Sequence, residues 1–127
     1  MPTPTGAPVP LPPRLDTRPI YEIKADLFRA LAHPARIRAL EVLAEGERSV
    51  SELQPEVGIE SSHLSQQLGV LRRAGLVSTH KEGASVIYAI RDPQLVELLA
   101  VAKSLLIANL AQTQELLEGL RAEASRE

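Results

Sequence analysis

Apolar residues recur at helical spacing from Ile20 onward, where Ile20, Ile23, Leu27, Ala30 and Leu31 are separated by Glu22, Lys24, Asp26 and Arg29. The pattern predicts a first helix with Pro19 in its first turn. His33-Pro34 breaks it and opens a second helix carrying Ile37, Leu40, Val42 and Leu43, which stops near Gly46. Ser49-Val-Ser-Glu52 is a capping-box pattern for a third helix around Leu53 and Val57. Pro55 should keep that helix short or make its first turn irregular. Beyond a tight turn at Gly58-Ile59, Ser61 or Ser62 caps a fourth helix that runs to about Arg73 and ends at Ala74-Gly75. Leu76 to Thr79 and Ser85 to Ile90 are β-branched or alternating segments around the polar stretch His80 to Ala84, which predicts a hairpin. Asp92-Pro93 sets cap and first-turn residues for a last helix running toward Ala122, roughly 45 Å long at the usual rise per residue.

The expected fold class is therefore mainly α with a small β-hairpin, in the order α-α-α-α-β-β-α. Residues 20–122 form the domain and 123–127 a C-terminal tail. Residues 1–19 hold seven of the chain's ten prolines, Pro2, Pro4, Pro8, Pro10, Pro12, Pro13 and Pro19. Such a stretch cannot propagate a helix and has little apolar surface to bury, so it reads as a disordered arm. At 127 residues there is room for one core. Aromatic residues make up only 2% (Tyr21, Phe28, Tyr88), so aliphatic side chains must build that core, and a base-stacking platform for single strands is excluded. The absence of cysteine removes disulfides, thiolate metal sites and cysteine nucleophiles. No apolar run approaches the roughly 18 residues of a membrane span and no signal peptide is visible, so a cytoplasmic location without membrane association is expected.

A short helix, a glycine turn, a second helix and a hairpin in that order form the pattern of a winged helix-turn-helix, whose second helix enters the DNA major groove. Helical arithmetic puts Leu64, Leu68 and Leu71 within about 60° of one another as a buried stripe. Ser62, Gln66, Gly69 and Arg73 point away from it, with His63 and Ser65 on the flanks. Glutamine pairs bidentately with adenine, serine and histidine reach base edges or phosphate, and Arg72 and Arg73 reach the backbone. No acidic residue lies between Ser61 and Arg73, whereas a merely solvated helix face usually intersperses Glu with Lys. The predicted DNA-binding set is Ser61, Ser62, His63, Ser65, Gln66, Gln67, Arg72, Arg73, His80 and Lys81. The net charge is −2 for the whole chain, but residues 59–91 carry +2 and the last fifteen carry −2, which places the DNA end at the wing.

Leu31-Ala-His-Pro-Ala-Arg-Ile-Arg-Ala-Leu40, Ser65-Gln-Gln-Leu68 with Leu71-Arg-Arg-Ala-Gly-Leu-Val77, and Gly83 with Val86-Ile-Tyr88 resemble the ArsR/SmtB family of bacterial winged helix-turn-helix regulators. The likeness runs over roughly residues 21–110. It implies a homodimer, held by the first and last helices, that binds a palindromic operator on double-stranded DNA near a promoter and acts as a repressor. The last helix agrees independently, since its apolar residues exceed what one small domain can cover. The expected interface comprises Ile20, Ile23, Leu27, Leu95, Leu98, Leu99, Ala102, Leu105 and Leu106.

The resemblance fails at the metal sites. Ser49-Val-Ser-Glu-Leu53 stands where many members carry a cysteine motif, and no histidine follows Pro93. Asp92 and Glu97 alone are poor ligands for zinc or nickel. The reading assigns no metal residues and no certain cofactor. His33 reads as part of a helix start, and Ala84 stands where the family's wing often has arginine. Two alternatives remain: a nickel- or zinc-responsive regulator using a non-standard site of one histidine and nearby carboxylates, or a protein-interaction module controlled by a co-regulator partner. No nucleophile triad, phosphate loop or spaced carboxylate pair is present, so no catalytic residues are assigned and an enzyme is not expected.

Overall fold

A computed structural model describes residues 16–126. The elements are α1 (Ile20–Leu31), α2 (Pro34–Leu43), β1 (Arg48–Ser49), α3 (Val50–Val57), α4 (Ser61–Arg73), β2 (Val77–Glu82), β3 (Ser85–Ile90) and α5 (Pro93–Arg126). The expected order holds, with one addition. β1 pairs with β3 in the register Arg48↔Tyr88 and Ser49↔Ile87, making a three-stranded antiparallel sheet in the order β1-β3-β2.

Local chemistry accounts for most boundaries. His33 Nδ1 accepts from the Ala35 amide at 3.0 Å and caps α2, with Pro34 in its first turn. Ser49 and Glu52 close the capping box of α3, and the amide of Ser49 holds the Glu52 carboxyl below its ordinary pKa. Pro55 lies inside α3, whose first turn is regular. The helix ends two residues later at Val57, capped by Gly58 in the left-handed conformation (φ 81°). Gly83 (φ 61°) opens the Gly83-Ala84 hairpin loop; a positive φ at the first position alone fits a type II′ turn. Asp92 Oδ1 accepts from the Gln94 amide at the start of α5.

Several expectations are corrected. Pro19 precedes α1 rather than sitting in its first turn, and its carbonyl accepts from Glu22 and Ile23. The capping position of α4 is Glu60, so Ser61 and Ser62 are helical residues, and Ser62 Oγ donates to Glu60 Oε1 at 2.5 Å. The helix α5 continues through 123–126, expected as a tail, because Ala122, Glu123 and Ala124 favour helix and nothing there breaks it. Residues 1–15 of the expected arm lie outside the described residues. Its end is tied to α1, as Arg18 donates to Asp16 (2.7 Å) and Asp26 (2.6 Å), and Arg29 donates to Asp26 as well. The Arg18 side chain lowers the Asp16 carboxyl to about 2.

The core joins Leu31, Ala39, Leu40, Val42, Leu43, Leu53, Leu64, Leu68, Leu71, Val77 and Leu95. Leu95, expected in the subunit face, is buried in the chain's own core, because the first turn of α5 lies against the winged body. Leu98 and Leu99 pack against the same cluster and are only partly covered. From Ala100 onward every described residue of α5 is exposed. The helix also holds an 18-residue stretch of mean hydropathy 1.5 with at most two charged side chains, long and apolar enough to cross a membrane by length and composition. It contains no unbroken apolar run of that length, because Lys103, Ser104 and Asn109 interrupt it without lowering the average much.

Candidate nucleic-acid interface

The helix α4 rests on the body through Leu64, Leu68 and Leu71, all fully buried, so its opposite face is turned outward by packing rather than by chance. Ser62, Gln66 and Arg73 are exposed on it, His63 and Ser65 are exposed on its flanks, and Ser61 and Arg72 are exposed at the two ends of the helix. A Cβ at Gly69 would come within 3.2 Å of Arg73 Nη1, so the bare glycine lets that guanidinium lie back along the face. No side chain caps the helix and its first turn holds no acid, which leaves outward N–H groups at the positive end of its dipole. Its last turn carries Arg72 and Arg73.

Gln67 departs from the expected set. It is 9% exposed, its Oε1 accepts from Arg36 Nε at 2.8 Å, and its Nε2 lies 3.2 Å from His63 Nε2. Buried with both ends of its amide engaged, it does not join the outward row. Arg36, on α2, was not singled out as a site residue by sequence. The signal was present: at about 100° per residue Gln67 falls only about 40° from Leu71, so a polar group there needed an internal partner.

On the wing, His80 and Lys81 are exposed on β2. His80 Nε2 lies 3.0 Å from Glu82 Oε2 and 3.7 Å from Glu47 Oε1. The Glu82 hydrogen bond, with the charge of Glu47 beside it, raises the histidine pKa above its ordinary value. Among the described residues this is the one group of three possible metal donors within 4.8 Å of one another, and all three are exposed. His33 and His63 stand edge to face with centroids 6.1 Å apart, away from His80's cluster.

The expected subunit face divides by position. Ile20, Ala102, Leu105 and Leu106 are exposed, Ile23 and Leu27 half-buried. Phe28, Ile107, Leu110, Leu116, Leu117 and Leu120 extend the apolar surface beyond the residues expected by sequence.

The profile of the bacterial regulatory protein family named for arsR matches residues 33–79, from the cap of α2 into β2. The chain is 53% identical over 112 residues to the HTH-type transcriptional regulator Rv0081 of Mycobacterium tuberculosis, spanning 87% of this chain and 98% of that one. The crystal structure of Rv0081 superposes with a TM-score of 0.69 at 55% identity, covering 76% of this chain and 97% of that one. The transcriptional repressor BigR of Xylella fastidiosa superposes with a TM-score of 0.63 at 35% identity over 67% of this chain and 87% of its own. A homodimeric winged helix-turn-helix DNA-binding domain from Mycobacterium bovis gives 0.67 at 28% identity, over 73% and 86%.

Proposed function

The chain belongs to the arsR family of bacterial regulatory proteins, and from that premise we propose that two copies, joined through α1 and α5, read a palindromic operator and repress the adjacent promoter from the cytoplasm. It is a DNA-binding transcriptional regulator, not an enzyme. The observation that carries the detailed reading is the outward face of α4: hydroxyls, an amide and an imidazole in a row, an uncapped N-terminus at one end and two arginines at the other. Ser65 and Gln66 meet base edges, while Ser61, Ser62, Arg72, Arg73 and Lys81 meet phosphates and fix the register.

The apolar surface of α5 supports the pairing. A groove of about 440 Å³ between α2 and α5 is lined by six apolar side chains, among them Ile37, Leu99, Leu106 and Leu110, with Glu41 and Lys103 also lining it. An uncovered apolar surface of this extent on a small soluble domain is costly, and a second copy covers it symmetrically. That assignment uses the membrane-like composition of α5 without a membrane. A band-shift titration on the DNA upstream of the chain's own coding sequence tests the reading: a shift at protein concentrations that leave random duplex free supports it, and equal affinity for both contradicts it.

A nickel or zinc response is a second reading, favoured by His80 standing between Glu47 and Glu82. Repeating the band shift with each metal, and with His80→Ala, separates it from a metal-independent repressor. A co-regulator protein acting on the dimer remains the proposed source of the signal if neither metal changes the shift.

A further inference from the structure

Position 67 lies beside the leucine stripe that seats α4, yet it is glutamine, and its amide reaches across two helices. Arg36 on α2 donates from Nε to Gln67 Oε1 at 2.8 Å and from Nη1 to the carbonyls of Arg29 (3.2 Å) and Ala30 (3.1 Å). Those carbonyls belong to the last turn of α1, where the Arg29 carbonyl also accepts from the Ala32 amide that ends the helix. One guanidinium thus ties the end of α1 to the inner face of α4.

The donors and acceptors allow one direction only. A guanidinium only donates, so the amide oxygen of Gln67 faces Arg36 and its NH2 faces His63. The NH2 also only donates, so His63 Nε2 accepts and the proton of the neutral ring sits on Nδ1. His33, whose Nδ1 is already filled by the Ala35 amide, stands edge-on to His63. No buried side-chain nitrogen or oxygen among the described residues lacks a partner. An aliphatic residue at 67 would have filled the space and let α4 slide; a fully satisfied polar connection accepts one arrangement.

We propose that Arg36 and Gln67 are positioning residues: they lock the reading helix to α1, so that the pairing of two subunits sets the distance between their two α4 helices, and they hold His63 with its N–H donor at Nδ1. The inference rests on the dimeric DNA-reading assignment above, which places α1 in the subunit seam.

The test uses the full chain and a duplex that the unaltered protein recovers from a random-sequence pool. Gln67→Met is close in shape but cannot accept from Arg36. It should remain a folded dimer, lose about tenfold in discrimination between the recovered duplex and random DNA, and tolerate a one-base-pair insertion between half-sites better than the unaltered protein. Gln67→Glu still accepts from Arg36 and should keep the spacing preference. Its second oxygen also accepts, so His63 must then carry a proton on Nε2. Nitrogen-15 spectra of the free protein read this directly: Nδ1–H for His63 in the unaltered chain, lost in Gln67→Met and replaced by Nε2–H in Gln67→Glu. A folded Gln67→Met dimer with unaltered discrimination and spacing overturns the proposal, as does an unaltered chain whose His63 is Nε2–H. If Gln67→Met does not fold, the Gln67→Glu spacing preference and tautomer decide. If no duplex is recovered, the DNA reading fails on its own, and the His63 tautomer still decides whether the connection exists.

Discussion

The winged body and the distal part of α5 are both rich in leucine, but only one of them buries it. Leu40, Leu53, Leu64, Leu68 and Leu71 are fully enclosed by their own chain. Leu106, Leu110 and Leu116, on a helix of comparable composition, are 67%, 61% and 66% exposed. The body is complete as one chain; α5 beyond Leu99 is stable in water as a long apolar helix only with something against it. Composition is thus a poor guide to where an interface lies. What separates the two regions is whether another element packs back over the leucines, and among the described residues none covers α5 beyond Leu99.

The sharpest way to break this contrast is to charge the distal face alone. Leu106→Glu with Leu110→Glu touches no core residue, so the winged body should keep its fold while the dimer dissociates in sedimentation velocity. Affinity for the recovered duplex should fall about 100-fold to 10,000-fold as the second half-site contact is lost. Leu98 is a poorer choice for this purpose because it packs against its own core. The complementary change lies inside the body: Leu64→Ala should lower unfolding stability by about 2–5 kcal/mol, read from denaturant melts at fixed protein concentration. Were Leu64→Ala harmless and the glutamates unfolding, the two regions would have been assigned in reverse.

Smaller effects sharpen the DNA end. Gln66→Ala and Ser65→Ala should each cost about 1–3 kcal/mol on the recovered duplex and much less on random DNA, measured by competition binding. Uniform losses on both duplexes would make these residues phosphate contacts. The smallest effect concerns His80. Its folded pKa is raised, first by Glu82 and then by Glu47, so its pairing stabilises the fold fully below about 6.5, the ordinary histidine value. That contribution fades as pH rises through the raised folded value. The melting temperature of His80→Gln should therefore lie below that of the unaltered protein in mild acid and converge with it in alkali. A gap that widens with pH would contradict the pairing.

Elements were legible wherever a residue has a single local use. His33-Pro34, Ser49 with Glu52, Gly58 and Asp92-Pro93 each mark a helix end by their own chemistry, and each holds in the structure. β1 was hidden because two residues show no alternation, and their strand character comes wholly from β3. Gln67 was misplaced because its polarity suggested solvent while its angle suggested core, and only the reach of Arg36 from another helix decides between them. Leu95 and Leu106 look alike in the sequence of α5. Which of them meets its own chain depends on where α2 sits beside that helix, a tertiary fact that helical periodicity does not contain.

Hydroxyl-radical footprinting of the recovered duplex tests most directly that a dimer joined at one end reads DNA with the other. The account predicts two protected patches related by two-fold symmetry, their centres about 10–10.5 base pairs or a multiple of that apart. Both should vanish together in the Leu106→Glu, Leu110→Glu variant. A single patch, or two that survive those glutamates, would contradict it.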